Sequence, residues 1–291
     1  MIYTLTLNPA IDNYIYLDRP LSEKSINTPK EENIKIGGKG INLSLQLKNF
    51  GTDTVALGFV SGRMGECITS FLKNKGIEHF FVNTHKGETR INTKIIGKSE
   101  IQINGRGPMV DERDTEELKY KIKTLKAGDI AVVSGSCPKC EGVDILEEIF
   151  SSVPKGVKLI ADLKGAELKN VLKYKPFLIK PNIEEFKALV GKESLNLEEE
   201  LKETNKKGAE NILLSLGEKG ALFYDGENIH REEAIPVNVK NTIGCGDSML
   251  AAFIYAYEKG FGVDYCLSFA VKTGSLKAQK GEFPLLEEVD V

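Results

Sequence analysis

Apolar runs of strand length, most of them without polar alternation, constrain this chain more than any other feature. They are IYTLTL (2–7), TVALGFV (54–60), DIAVVSG (129–135), KLIADL (158–163), FLIKPN (177–182) and NILLSLG (211–217). A strand with one wet face alternates apolar and polar residues; a strand covered on both faces need not. Between the runs the pattern turns helical. In GINLSLQLKNFG (40–51), Leu43, Leu47 and Phe50 fall near one face, and DTEELKYKIKTLKAGD (114–129) opens with Asp114 and Glu117 at capping-box spacing and ends near Gly128. Strands alternating with helices imply an α/β fold with a parallel sheet and helices on both of its faces.

Two segments break that rhythm. Residues 12–36 hold NYIYLDRPL and then a polar stretch, and ETRINTKIIGKSEIQIN (88–104) alternates apolar with polar around a turn near Gly97. Such alternation predicts a half-buried antiparallel hairpin. On pattern alone it fits a lid over a site or a decoration at a sheet edge. No repeat, low-complexity stretch or linker-like shift in composition interrupts residues 1–291, so one domain with a lid is expected.

Composition narrows the function classes. At 41% hydrophobic and 28% charged residues with a net charge of −3, the chain lacks the basic excess of a nucleic-acid or membrane-surface binder. Any anion must therefore meet a local cluster of positive groups. Cys67, Cys137, Cys140, Cys245 and Cys266 are odd in number, and the apolar start MIYTLTLNPAID has no basic leader, which argues for a reducing compartment, the cytoplasm. No apolar stretch approaches the ~20 residues that span a bilayer.

NTIGCGDSML (241–250) is the segment richest in chemistry. The residues from Gly246 to Tyr257 are nearly all apolar and predict a buried helix, so Gly244, Cys245 and Gly246 stand at its amino end. Free N–H groups and the helix dipole attract phosphate there, and glycine lets the backbone approach it closely. Asp247 in the first turn could merely cap the helix. Beside a phosphate cradle it could also take the proton of an attacking alcohol while the amides stabilise the moving phosphoryl group.

Other motifs fit such a cradle. GGKGIN (37–42) is a second glycine-rich helix entry without the spacing of a Walker A loop; Lys39 there suits an anionic or hydroxylated ligand, and Asn42 falls on the first turn. TLNPAID (6–12) follows the first strand, at the end of an open sheet where ligands bind, and Asp12 could accept hydrogen bonds from sugar hydroxyls or serve as an ordinary turn acid. ETRINTK (88–94) puts Arg90, a natural phosphate fork, on the hairpin. In KPNIEE (180–185), Asn182 and Glu185 could organise Mg²⁺ and its waters or form a plain capping box, a spacing that NLEE (196–199) repeats. Cys137 and Cys140 lack the second pair of ligands of a structural zinc site, and the three histidines show no metal-binding spacing.

Together, TLNPAID, GGKGIN, TRINTK, KPN, SLGEKGA and NTIGCGDSM, in this order over essentially the whole chain, resemble the ribokinase-like (PfkB) carbohydrate kinases, most of all the 1-phosphofructokinase and tagatose-6-phosphate kinase branch. The resemblance implies a three-layer sandwich with a mostly parallel central sheet and a small β-sheet lid that often joins a homodimer. It implies Asp247 as base and Gly244, Cys245 and Gly246 as the anion hole. Asp12, Gly38, Lys39, Asn42 and Arg90, with Asn104 and Ser136 as weaker matches, fall on the phosphosugar. Lys180, Asn182 and Glu185 fall in the ATP and Mg²⁺ region, and Ser215 and Gly217 on the ATP-side loop. Three positions depart from the family pattern: Cys245 replaces an alanine and exposes a thiol to oxidation or alkylation, Cys137 replaces an apolar residue, and Lys164 replaces a small one.

The expected reaction is ATP-dependent phosphorylation of the 6-hydroxyl of fructose 1-phosphate, with Lys39 and Arg90 on the sugar phosphate and Asp12 and Asn42 on its hydroxyls. Tagatose 6-phosphate or fructose 6-phosphate, phosphorylated at the 1-hydroxyl, is the alternative. A non-catalytic sugar-phosphate sensor is more remote, since a pure binder gains nothing from Asp247. A dinucleotide-dependent oxidoreductase would need a G-x-G-x-x-G after the first strand, and none is there.

Overall fold

In a computed structural model, which describes residues 1–22, 24–98 and 100–289, the buried runs form the centre of the fold. From the amino end, β1 (Ile2–Thr6) leads to the lid strands β2 (Ala10–Tyr16) and β3 (Glu31–Gly37), then α1 (Lys39–Asn49), β4 (Thr54–Val60), α2 (Gly62–Asn74) and β5 (Glu78–Asn83). The second lid pair, β6 (Arg90–Ile96) and β7 (Glu100–Asn104), is followed by β8 (Met109–Val110), α3 (Glu112–Ile122), β9 (Ile130–Ser134) and β10 (Lys139–Cys140). Then come α4 (Ile145–Ser152), β11 (Lys158–Asp162), α5 (Gly165–Val171), β12 (Leu178–Ile179), α6 (Ile183–Val190), α7 (Leu197–Lys206) and β13 (Asn211–Ser215). Last are β14 (Ala221–Tyr224), β15 (Ile229–Glu232), α8 (Cys245–Glu258), α9 (Val263–Lys280) and α10 (Leu286–Val289).

The central sheet runs β15-β14-β13-β12-β11-β9-β1-β4-β5, parallel from β13 to β5, with β14 and β15 antiparallel at one edge. Both faces are buried. Along β9, Ala131 and Val133 join one core with Leu118, Ile149 and Phe186, while Ile130 and Val132 join the other with Leu43, Leu47, Leu250 and Phe253. That division is why the strand reads as a continuous apolar run. The sandwich expected from the motifs is therefore the fold that forms.

The two hairpin segments join into one lid sheet, β3-β2-β6-β7, in which β2 and β6 lie parallel. Register sorts its faces. Asp12 lies opposite Lys35 and Asn92, and Tyr14 opposite Asn33 and Lys94, so these side chains share one face. Ile34, Ile91, Ile101 and Ile103 remain exposed, the first at 68%.

Boundaries differ from the sequence reading in two places. The helix expected over 114–129 is Glu112–Ile122: it begins earlier, because Asp111 is its N-cap and exchanges hydrogen bonds with Asp114 at the third helical position, not Glu117, and it ends short of Gly128, with Lys123 as its C-cap. The strand expected over 177–182 is only Leu178–Ile179: the Lys180 N–H still donates to the Ala161 carbonyl, but Pro181 has no N–H to give, and pairing resumes only as an isolated bridge between Asn182 and Ser215.

Candidate active site

The carboxyl ends of the parallel strands bring the site together. Thr6 ends β1, Asp162 ends β11, Lys180 follows β12 and Ser215 ends β13, and all but Asp162 line one cleft of roughly 1380 Å³. Every site residue expected from the sequence lines this cleft except Asn104. Asn104 sits opposite Asn92 on the exposed edge strand β7, so it shares the lid face of Asp12 but not the cleft.

Two close-packed helix entries shape the floor. Gly38 precedes α1 with φ +138°, and a Cβ there would lie 2.6 Å from the Thr6 methyl. Thr6 replaces a local cap, its hydroxyl accepting from the Ile41 N–H at 3.0 Å. At α8, Gly244 takes the left-handed conformation at φ +80° that admits the chain to the helix. The Ser248 N–H closes the first turn on the Gly244 carbonyl, and the Cys245 N–H turns back to Thr242 at 3.2 Å. Cys245 is therefore not a third free amide as expected. The N–H groups of Gly244, Gly246 and Asp247 have no backbone acceptor among the described residues.

Asp247 is 6% exposed and accepts from Asn42 Nδ2 at 2.7 Å. Burial first, and the charge of Asp162 second, push its carboxyl up to about 6 against the pull of Asn42, Lys39 and Lys180. A buried acid with a pKa near neutrality suits a base that must accept a proton at physiological pH. Asn42, which also lines the cleft, thus contacts Asp247 directly.

Asp162 is the site residue the sequence reading missed. It is fully buried, and its Oδ1 holds Lys39 Nζ at 2.8 Å and Lys180 Nζ at 3.3 Å. Burial opposes its ionisation, yet Lys180 and Lys39 reverse that and draw its pKa below the ordinary value. Lys39 also lies 3.8 Å from Glu185 Oε1. Desolvation works against its charge, but Asp162, Glu185 and Asp247 hold its pKa above the ordinary lysine value. Lys39 is thus anchored at the cleft by Asp162, with Glu185 beside it. Lys180 approaches the anion hole: a Cβ on Gly246 would lie 3.3 Å from its Nζ. An acid at the end of the apolar run KLIADL was the available signal; Asp12, expected after the first strand, lies instead within the lid strand β2.

Arg90 and Ser136 form the far end. The Arg90 guanidinium donates to the Asn8 carbonyl at 3.1 and 2.8 Å and to Ser136 Oγ at 3.1 Å. Asp12 accepts from Asn92 at 2.8 Å, with the buried Lys94 ammonium 3.5 Å away. At the opposite end, Ser215 and Gly217 meet an apolar wall that includes Ala234, Pro236, Val237 and Val271.

Asn182 and Glu185 form a reciprocal capping box on α6, with bonds of 2.8 and 2.9 Å, whereas Asn196 makes no such cap. Both still line the cleft. Among the described residues no group of three His, Cys, Asp or Glu side chains could hold a metal ion. The Cys245 thiol, half-buried with its pKa raised by burial, is less prone to oxidation or alkylation than its sequence position suggested. Burial likewise pushes Cys137 up to about 12 and Cys140 up to about 11, as befits incidental thiols packed beside the core. No helix among the described residues is long and apolar enough to cross a membrane.

The model of the pfkB family of carbohydrate kinases matches residues 5–283. The 1-phosphofructokinase of Borreliella burgdorferi is 39% identical, with 99% of this chain and 95% of that protein covered. The D-tagatose-1-phosphate kinase of Bacillus licheniformis is 37% identical over 96% of this chain and 92% of its own length. The crystal structure of phosphofructokinase-2 from Escherichia coli in complex with fructose-6-phosphate matches with a TM-score of 0.89 at 26% identity, covering 99% of this chain and 96% of that one. On the match over nearly all its length and on the site just described, this chain belongs to the pfkB family of carbohydrate kinases.

Proposed function

We propose that the protein is an ATP-dependent kinase of a phosphorylated ketohexose, acting on the 6-hydroxyl of fructose 1-phosphate. The observation that carries this reading is Asp247, buried, held by Asn42 and raised to about 6 beside the free amides of α8. The sugar's existing phosphate lies by Arg90 and Ser136; with Nε and Nη2 of Arg90 held by the Asn8 carbonyl and Ser136, the guanidinium offers that phosphate its Nη1. Asp12, fixed by Asn92 and Lys94, accepts from the sugar hydroxyls. Asp247 takes the proton of the 6-hydroxyl. The oxygen forms its bond to the γ-phosphorus as the bond to the β-phosphate oxygen breaks, leaving fructose 1,6-bisphosphate and ADP. The Gly244 and Gly246 amides, Lys39 and Lys180 face the charge that spreads over the moving group. Asp162 pairs with both lysines and aims them. The adenine lies against the apolar wall beyond Ser215 and Gly217.

Magnesium is usually held by nucleotide phosphates, water and one or two carboxylates rather than by an all-protein cage. Glu185 fits that demand: one oxygen caps α6 and the other points toward Lys39 in the cleft, with Asn182 beside it. Bound there with the nucleotide, the ion would neutralise phosphate charge.

Tagatose 1-phosphate is the second reading, favoured by the relative that bears that activity in its name; tagatose 6-phosphate and fructose 6-phosphate complete the set. A coupled ADP-release assay comparing these four at matched concentrations tests it. A large kcat/KM preference for fructose 1-phosphate is expected. Preference for a 6-phosphate would reverse the sugar between Arg90 and Asp247, and turnover of none would remove the kinase reading.

We also propose a homodimer through the lid, supported by the exposed isoleucines Ile34, Ile91, Ile101 and Ile103. Light scattering should give twice the monomer mass, and Ile34→Lys should halve it.

A further inference from the structure

Lys277 lies in the last turn of α9 and is 4% exposed. Its ammonium donates to the Ile243 carbonyl at 2.9 Å and the Gly281 carbonyl at 3.2 Å, and rests 5.1 Å from the centre of the Phe283 ring. No carboxylate among the described residues pairs with it. A lysine near a helix end commonly meets the last carbonyls. That use does not require burial: Lys280 in the same turn is exposed and pairs with Glu288. A buried ammonium without a counter-ion is expensive and needs another reason.

The Ile243 acceptor supplies one. Ile243 immediately precedes Gly244, and the peptide between them is trans. In a trans peptide the carbonyl and the N–H point in opposite directions. The carbonyl turned to Lys277 therefore turns the Gly244 N–H away from it, on a residue that lines the cleft. A cation on the carbonyl also polarises the peptide and strengthens its N–H as a donor. The same loop is stitched to the end of α9 by the N–H groups of Lys240 and Asn241, both on the Ala278 carbonyl at 2.9 and 3.2 Å. Lys277 is thus the charged member of a fixed joint behind the anion hole. Burial draws its pKa down; the Cys245 and Asp247 groups oppose that, Lys35 adds to it and Glu282 resists it.

We infer that Lys277 is a positioning residue for phosphoryl transfer, whose buried charge orients and strengthens the Gly244 amide through the Ile243 carbonyl. This rests on the kinase reading of the cleft. Removing a direct oxyanion donor costs about 10²–10³ in kcat, so loss of the charge behind one should cost about ten-fold or more. Lys277→Met should show that fall in kcat with KM for the sugar phosphate within about two-fold, since the charge acts on the moving phosphoryl group and not on bound sugar. Lys277→Ala leaves two carbonyls around a space fit for a small cation. Added ammonium chloride should restore its kcat in a saturable way, while tetramethylammonium should not. If Lys277→Met does not fold, Lys277→Gln, which keeps an N–H donor without the charge, should show the same loss. A merely structural lysine would lower the urea midpoint and give no ammonium rescue of kcat. A wild-type protein inactive on every phosphoketohexose overturns the kinase reading and this inference with it. An active wild type with Lys277→Met at more than half its kcat, or with Lys277→Ala indifferent to ammonium, overturns this inference alone.

Discussion

Asp247→Asn should abolish turnover and yet make the protein more stable, by an amount that depends on pH. The folded carboxyl is raised from 3.8 to about 6. A shift of about two units is worth about 3 kcal/mol between the two protonation states. The residue is 6% exposed, so solvent does little to screen it. The sign follows from proton linkage. The folded state holds this proton more tightly than the unfolded chain, so stability falls as pH rises from near 4 to about 6 and stays low above. At pH 8 the ionised Asp247 thus costs the fold about 3 kcal/mol, and at pH 4.5 only about 1 kcal/mol. Asparagine is never ionised and can still accept from Asn42 through its amide oxygen. Urea unfolding of wild type and variant at both pH values measures the difference, and a coupled ADP assay follows the loss of activity. The variant should be the more stable at pH 8 by about 3 kcal/mol, with most of that advantage gone at pH 4.5. A variant no more stable than wild type at pH 8, or one whose advantage is the same at both, would refute the electrostatic account of Asp247.

Asp162→Asn removes the second-largest cause of the raised Asp247 pKa and releases Lys39 and Lys180 to act on it. The acid limb of kcat/KM, expected near pH 6 in the wild type, should move to lower pH while kcat falls; an unmoved limb would disprove the coupling. His230 is held by Asp264 at 2.7 Å and Asp225 at 3.2 Å. Burial lowers its pKa, but the two acids more than reverse that. A raised histidine pKa gives stability that is full below about pH 6.5 and is lost as pH rises through the folded value. His230→Asn should therefore destabilise the protein more at about pH 5.5 than at pH 9 in urea titrations, and equal effects would contradict the clamp.

Much of this protein can be read locally. The runs around Leu5, Val132 and Leu213 read as buried strands because each strand is its own record of burial on both faces. GCGDSML reads as an anion-binding helix entry because glycine, dipole and acid are neighbours in the chain. TRINTKII reads as half-buried because alternate residues fall on opposite faces. What stayed hidden was contact across long separations. Lys39 is 123 residues from Asp162, and Asn42 is 205 from Asp247. Local periodicity carries no information about such pairs. The place of Asn104 outside the cleft was hidden for a related reason: only the strand order β3-β2-β6-β7 put it at the outer edge.

The sequence by itself determined the α/β class, the half-buried antiparallel hairpin, and the residue types that converge at the strand ends, because burial and turn chemistry are written into neighbouring residues. Only the tertiary structure decided which charges meet. It gave Lys39 and Lys180 to Asp162, raised Asp247 by burial, and placed the Lys277 ammonium behind Gly244. The physical reason is that electrostatic energy depends on distance and on the dielectric around each charge, and both are properties of the folded chain as a whole.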